Sequence, residues 1–218
     1  MADERVLREA LLAAARSMSE VGLNVGTSGN ASVRLQDGML ITPTGLRIED
    51  CGPDDLVFVD ASGRAHGERA PSSEWPMHLG VYADRADAGA ILHAHPPFAT
   101  ALACHRLEIP PFHYMIARFG GSTVRCARYA TFGTAALSAA VREAMHDRSA
   151  CLLANHGMLV SGRDAAHALD MAIEFETLCE QYWRALQLGE PVLLSQAEMD
   201  EVMVRFAGYG QPQPRRVQ

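Results

Sequence analysis

The sequence predicts a single three-layer α/β domain in which a largely antiparallel central sheet is flanked by helices. Three observations carry this. The chain has 218 residues, 48% of them hydrophobic and 21% charged, enough to bury a full core without disulfides or a structural metal. Short apolar runs bounded by turn residues alternate with stretches of helical period. The turn after the first of these runs, Gln36-Asp37-Gly38, is of the kind that joins neighbouring antiparallel strands.

Taken in order, Val6, Leu7, Leu11, Leu12, Ala15, Met18 and Val21 follow the helical period, and Gly22 closes an opening helix over residues 4–21. The small-residue loop Gly26-Thr27-Ser28-Gly29-Asn30 leads into a hairpin of strands 31–35 and 39–42, and Thr42-Pro43-Thr44-Gly45 forms a second small-residue turn. Leu56 to Asp60 reads as a strand turning through Ser62-Gly63. Pro71-Ser72-Ser73-Glu74 opens a helix over about 73–84, with Ser at or near its N-cap and Pro76 in its first turn. Ala88 to Leu92 is a buried strand, Pro96-Pro97 starts a short helix, and Phe112 to Ile116 makes a helical turn. A strand around 123–127, a helix over 134–146 and a strand at 150–154 follow. The longest helical pattern runs from Asp164 to Leu188, with Ala168, Leu169, Ala172, Ile173, Glu176, Cys179, Tyr182, Trp183 and Leu186 on its buried or subunit-facing stripe. Pro191 ends it, and Ser195 with Glu198 forms a capping box for a last helix. Beyond about residue 207 a mobile tail is expected.

Composition removes several chemistries. All nineteen basic residues are Arg, so Schiff-base catalysis, a Lys-anchored pyridoxal cofactor and a Walker A loop are impossible. A net charge of −7 without a basic patch argues against nucleic acid and acidic membranes as partners. No apolar stretch reads as a signal peptide or a bilayer span. The five cysteines are scattered and lack Cys-x-x-Cys spacing, which fits reduced thiols and a cytoplasmic location.

The chemistry centres on His93-Ala94-His95 at the exit of a strand. Residues two apart on a strand share a face, so the two imidazoles converge. His-x-His with a third His or a carboxylate is a common way to hold a transition metal with one position open. His156, after the run Ala150–Ala154, and Glu74 are the available partners. Segments 27–30, 42–45 and 71–73 each present small or hydroxyl residues able to turn backbone N–H groups toward an anion. Together these describe a phosphate pocket beside a metal. Zinc there would polarise a carbonyl and stabilise an adjacent carbanion as an enediolate, and Glu74 could move the proton.

With these motifs in hand, the chain resembles the zinc-dependent class II aldolases of the L-fuculose-1-phosphate aldolase type, in the aldolase II/adducin-head family. The resemblance runs from about residue 5 to 210. It is carried by Gly26-Thr27-Ser28-Gly29-Asn30-Ala31-Ser32, Ile41-Thr42-Pro43-Thr44-Gly45, Pro71-Ser72-Ser73-Glu74-Trp75, His93-Ala94-His95, His113-Tyr114-Met115-Ile116-Ala117, Tyr129-Ala130-Thr131-Phe132-Gly133-Thr134 and Asn155-His156-Gly157. It implies an aldolase domain over 1–210 with a flexible tail over 211–218. It also implies one Zn²⁺ per subunit on His93, His95 and His156, with Glu74 as a fourth ligand that swings away to become the acid/base.

By the same likeness, Gly29, Asn30, Thr44, Gly45, Ser72 and Ser73 hold the phosphate of dihydroxyacetone phosphate. Tyr114 reaches into a neighbouring subunit's site to protonate the aldehyde oxygen, and Phe132, Phe206 and Tyr209 line the aldehyde end. The resemblance implies a cyclic homotetramer acting on a phosphorylated ketose. Arg118, Phe119 and Arg128 depart from the fuculose enzyme's pattern, and His66, His78, His105, His113, His146 and His167 receive no role.

The expected reaction is cleavage of L-fuculose 1-phosphate to dihydroxyacetone phosphate and L-lactaldehyde. An aldolase for 5-methylthioribulose 1-phosphate or 5-deoxypentulose 1-phosphates, salvaging S-adenosylmethionine by-products, is the competing reading. A sugar-phosphate 4-epimerase is less favoured, because those enzymes typically carry Asp where Glu74 stands. A non-catalytic adducin-head-like assembly module would not need His93, His95, His156 and Glu74 intact.

Overall fold

The computed structural model describes residues 3–207. Its eight strands are β1 (Asn30–Leu35), β2 (Gly38–Ile41), β3 (Val57–Asp60), β4 (Ala65–His66), β5 (Ala90–Ala94), β6 (Cys126–Ala127), β7 (Ala150–Leu153) and β8 (Gly157–Gly162). They form one sheet in the order β4-β3-β2-β1-β5-β8-β7-β6. Among the described residues only the β6–β7 pair is parallel, in keeping with the expected antiparallel sheet. The helices are α1 (Glu4–Glu20), α2 (Trp75–Asp84), α3 (Pro97–Cys104), α4 (Ala135–Ala144), α5 (Ala165–Gln187) and α6 (Gln196–Ala207).

Strand alternation sorts the core into two layers. Val33, Leu40, Ala90, Leu92, Leu152 and Val160 face one side, where α1, α3, α5 and α6 cover them. Met39, Ile41, Val57, Ile91, Cys151 and Leu159 face the other, against α2 and α4. Covered on both faces, β5 is buried along its whole length, which is why it reads as a continuous apolar run rather than an alternating one. His93 follows the parity of Ile91 and so points to the α2 side.

Local caps behave as their residue types dictate. The side chains of Asp3, Thr134 and Asp164 accept N–H groups from the first turns of α1, α4 and α5, and Ser195 with Glu198 closes the expected box on α6. Helix α2 is the exception. It begins at Trp75 rather than Ser73, with Glu74 at the N-cap and no side-chain cap bond. Ser72 is instead drawn beside Thr42, donating its N–H to the Thr42 carbonyl at 3.0 Å.

Three further expectations change. The strand expected at 123–127 shortens to β6, because Val124 leaves β7 to exchange hydrogen bonds with Ile109. The apolar runs do not single out β8, whose three apolar residues Met158, Leu159 and Val160 lie between glycine-flanked ends. It nevertheless bridges β5 and β7 at the centre of the sheet. On α5 the buried stripe includes Met171, Phe175 and Leu178, whereas Ile173 and Trp183 are exposed. Glu176 lies on the inner face for a polar reason: its carboxylate accepts the Phe98 and Ala99 N–H groups at the start of α3. The expected tail over 211–218, and Tyr209, lie outside the described residues.

The turn from β7 to β8 has little room. A Cβ on Gly157 would stand 2.4 Å from the Ala94 carbonyl oxygen and 2.8 Å from the His95 ring. Gly157→Ala is therefore expected to destabilise the fold by about 1–3 kcal/mol, read as a lower urea midpoint. An unchanged midpoint would show that the turn is not tightly held.

Candidate active site

Four side chains from three parts of the chain converge where β5 ends. His93 leaves β5 and His95 follows just beyond it. His156 stands in the β7–β8 turn, and Glu74 stands at the start of α2. Their ligand atoms all lie within 4.8 Å of one another. The His93 and His95 Nε2 atoms are 2.8 Å apart. Glu74 Oε2 is 3.0 Å from His93 Nε2, and Oε1 is 3.4 Å from His156 Nε2. His93 Nδ1 lies 2.8 Å from the Met158 carbonyl oxygen. That oxygen can only accept, so Nδ1 carries a proton and Nε2 is the nitrogen turned toward the cluster.

The electrostatics suit a cation. Burial, reinforced by the neighbouring His93 and His156 rings, pushes His95 down to about 4. Burial and then His93 do the same to His156, also to about 4. Both rings are therefore unprotonated near neutral pH, the form a metal requires. Burial alone would raise the Glu74 carboxyl, but His93, His156 and the Asn30 amide outweigh it and hold the group at about 2, as a carboxylate. Glu74 Oε1 is buried yet takes no hydrogen bond among the described residues. An anionic oxygen left unmatched among converging nitrogen lone pairs fits a divalent ion, and three imidazoles with one carboxylate are a zinc-like donor set.

Beside the cluster lies a cavity of about 360 Å³ lined by Gly29, Asn30, Thr44, Gly45, Ser72, Ser73, Glu74, His95 and His156. Every residue expected to hold a phosphate is here. The loops that carry them are laced together: Thr44 N–H donates to Ala70 O at 3.1 Å, and Pro43 bridges Pro71. Gly29 and Gly45 adopt φ of +75° and +70°, conformations that side chains resist. None of the described lining residues is Arg or Lys, so an anion held here would rely on N–H and O–H donors.

The far wall is Tyr129, Ala130 and Phe132. Gly133 brings this wall in, because a Cβ there would stand 2.9 Å from the Ser73 carbonyl oxygen. Tyr129 and Asn155 also line the cavity without having been singled out as site residues. Asn155 carries a usable signal: it has φ +53°, a conformation that Asn tolerates better than most residues, and it directly precedes His156.

Tyr114 and Phe206 are not part of this cavity within one chain. Tyr114 is 49% exposed and stacks on Phe206 with ring centroids 6.3 Å apart. Both line a second cavity with Ala88, Arg118 and Gly162, at the opposite end of β5, on the order of 20 Å along the strand. Phe206 is thus separated from Phe132, because α6 packs against the 3₁₀ segment Tyr114–Phe119.

The residues that depart from the fuculose pattern also resolve. Phe119 is fully buried and packs on Phe175. Arg128 pairs with Glu143 on the surface, and Arg118 pairs with Glu174. None of the three lines the cavity beside Glu74. His78, given no role from sequence, is fully buried and hydrogen-bonded to Asn30. Its spacing of one helical turn from Glu74 was the available signal.

Comparison with known proteins agrees with this geometry. The family model described as Class II Aldolase and Adducin N-terminal domain matches residues 9–183. A 5-methylthioribulose-1-phosphate/5-deoxyribulose-1-phosphate aldolase of Rhodospirillum rubrum is 52% identical over 204 residues, covering 94% of this chain and 92% of the relative. An L-fuculose phosphate aldolase of Escherichia coli K12 is 44% identical over 194 residues, covering 88% and 90%. A solved L-fuculose 1-phosphate aldolase superposes with a TM-score of 0.89 at 41% identity, covering 92% of this chain and 96% of that one. The chain therefore belongs to the class II aldolase and adducin N-terminal domain family, as an aldolase of the fuculose-phosphate type.

Proposed function

We propose that this lyase reversibly cleaves a ketose 1-phosphate to dihydroxyacetone phosphate and a small aldehyde, with 5-methylthioribulose 1-phosphate or 5-deoxyribulose 1-phosphate as substrate. The observation that carries the reading is one cavity with three parts. It has a donor-rich anion pocket, a convergent Glu74-His93-His95-His156 cluster and an apolar wall of Tyr129, Ala130 and Phe132. The three-carbon phosphate suits the first part, and a methylthio or methyl terminus suits the last. The 52% identity to the Rhodospirillum rubrum enzyme supports placing these substrates first. L-Fuculose 1-phosphate is the second reading, supported by the 44% relatives. A methyl or thioether in such a pocket discriminates by only about 1–3 kcal/mol, so both substrates fit one scaffold.

His93, His95 and His156 would hold a zinc ion, with Glu74 completing the set. When bound, zinc supplies Lewis acidity for the negative charge that develops on the ketone oxygen. Gly29, Asn30, Thr44, Gly45, Ser72 and Ser73 bind and orient the phosphate. In the synthetic direction the Glu74 carboxylate accepts a proton from the carbon beside the ketone, and that carbon bonds to the aldehyde carbon. The Tyr114 hydroxyl of a neighbouring copy gives a proton to the aldehyde oxygen as it becomes a hydroxyl. Cleavage reverses each transfer. The remoteness of Tyr114 and Phe206 from Glu74 within one chain supports a cyclic homotetramer with sites between subunits. Tyr209 is proposed for the aldehyde end on the family resemblance alone.

Two outcomes are expected. Glu74→Gln should keep its zinc, because three imidazoles remain, while kcat falls about 10²–10⁴-fold; a near-normal kcat would reject Glu74 as the acid/base. Zinc-loaded protein should release dihydroxyacetone phosphate from 5-methylthioribulose 1-phosphate in a chelator-sensitive manner, with a higher kcat/KM than on L-fuculose 1-phosphate. Release from neither, with metal bound, would overturn the proposed reaction.

A further inference from the structure

Behind the cavity, Asn30 heads a line of buried side chains whose other three members, His78, Ser32 and Tyr82, the proposed mechanism does not use. Asn30 Nδ2 lies 3.0 Å from Glu74 Oε2, and Asn30 Oδ1 lies 2.6 Å from His78 Nε2. His78 Nδ1 is 2.8 Å from Ser32 Oγ, which is 2.9 Å from the Tyr82 hydroxyl. Asn30, Ser32, His78 and Tyr82 are all at most 7% exposed, so their polar atoms depend on protein partners, which for Tyr82 include the Ile91 backbone.

The chemistry gives it one direction. The Asn30 amide donates through Nδ2 to Glu74 Oε2, which turns its Oδ1, an acceptor only, toward His78. Asn30 Oδ1 then needs a donor, which puts a proton on His78 Nε2. Burial pushes His78 down to about 3, so the ring is neutral and Nδ1 is bare. Ser32 therefore gives its one proton to His78, and Tyr82 gives its own to Ser32. Each proton is used once, and every bond runs toward Glu74.

We propose that His78 is a positioning residue that locks the Asn30 amide with its NH₂ toward Glu74 and the anion pocket. This rests on the reading of that pocket as the phosphate site. Without the His78 N–H, no donor holds Oδ1 away from the pocket, and the amide can turn over at the expense of its bond to Glu74. Its carbonyl oxygen would then face both the Glu74 carboxylate and a bound anion. One wall of a pocket that has no Arg or Lys among its described lining residues would change from donor to acceptor.

A double-mutant cycle on the zinc-loaded full chain tests this, using inorganic phosphate as a competitive inhibitor of 5-methylthioribulose 1-phosphate cleavage. His78→Phe should raise the phosphate inhibition constant about tenfold and lower kcat, with zinc still at one per chain. In an Asn30→Leu background the same change should have no further effect. His78→Gln, which keeps a donor near the Nε2 position, should recover most of the phosphate affinity. Equal losses in both backgrounds would overturn the proposal, because a purely structural role adds independently of Asn30.

Should His78→Phe fail to fold, ¹⁵N NMR of the unaltered protein still decides. A neutral Nε2–H tautomer of His78 is expected, and an Nδ1–H tautomer overturns the proposal. If no cleavage is detected at all, the proposed reaction fails, while phosphate affinity measured by calorimetry and the tautomer still report on His78.

Discussion

The rest of the structure is arranged around one buried carboxylate set against three imidazoles. Taking an unpaired charge such as that of Glu74 out of water costs several kcal/mol, so its surroundings have to compensate. The Asn30 amide reaches Oε2, and His93 and His156 close on the two oxygens. Oε1 still has no hydrogen bond among the described residues, and a cation is the partner that completes the set. The same demand explains α2. The N-cap position normally holds a Ser, Thr, Asp or Asn whose side chain satisfies the first turn, but here it holds Glu74, which is turned to the cluster and leaves α2 without that bond. A local rule is broken where the chemistry needs the group elsewhere.

Strand β5 makes the cluster possible. Its two-sided burial fixes the register with β1 and β8, so that Asn30 lies opposite His93 and the β7–β8 turn brings His156 alongside. Gly157 allows that turn to approach Ala94 closely. From the other side, the 42–45 and 70–72 loops are tied together by backbone bonds, so the proposed anion pocket is built mainly from main chain and small hydroxyl residues. In the proposed function, a chain without lysine, at net charge −7, thereby gathers donors for an anion. Binding of this kind depends on the orientation of each donor, which is why the polarity of the Asn30 amide matters.

Much of this was legible in the residues. The two-residue spacing in His93-Ala94-His95 places both rings on one face whatever the rest of the fold does, and Gly, Ser, Thr and Pro clusters mark loops that offer N–H groups. What was not legible depends on tertiary context. Strand β8 is central, but its apolar stretch is too short and too glycine-flanked to stand out. The start of α2 moved because the Ser72 backbone is tied across to Thr42, while its hydroxyl accepts the Glu74 N–H just ahead of the first helical turn. His78 resembles any core histidine until Asn30 is seen to occupy its nitrogen. Tyr114 and Phe206 come from segments distant in sequence, and only the packing of α6 on the 3₁₀ segment shows them together and away from Glu74.

The account turns on the Glu74-His93-His95-His156 cluster holding a single divalent ion. Zinc K-edge X-ray absorption on the reconstituted protein tests this most directly. It should show one zinc per chain with imidazole nitrogens at about 2.0–2.1 Å, a carboxylate or water oxygen near the same distance and no sulfur. Failure to take up stoichiometric zinc, or a coordination shell containing cysteine sulfur, would contradict the assignment of the centre.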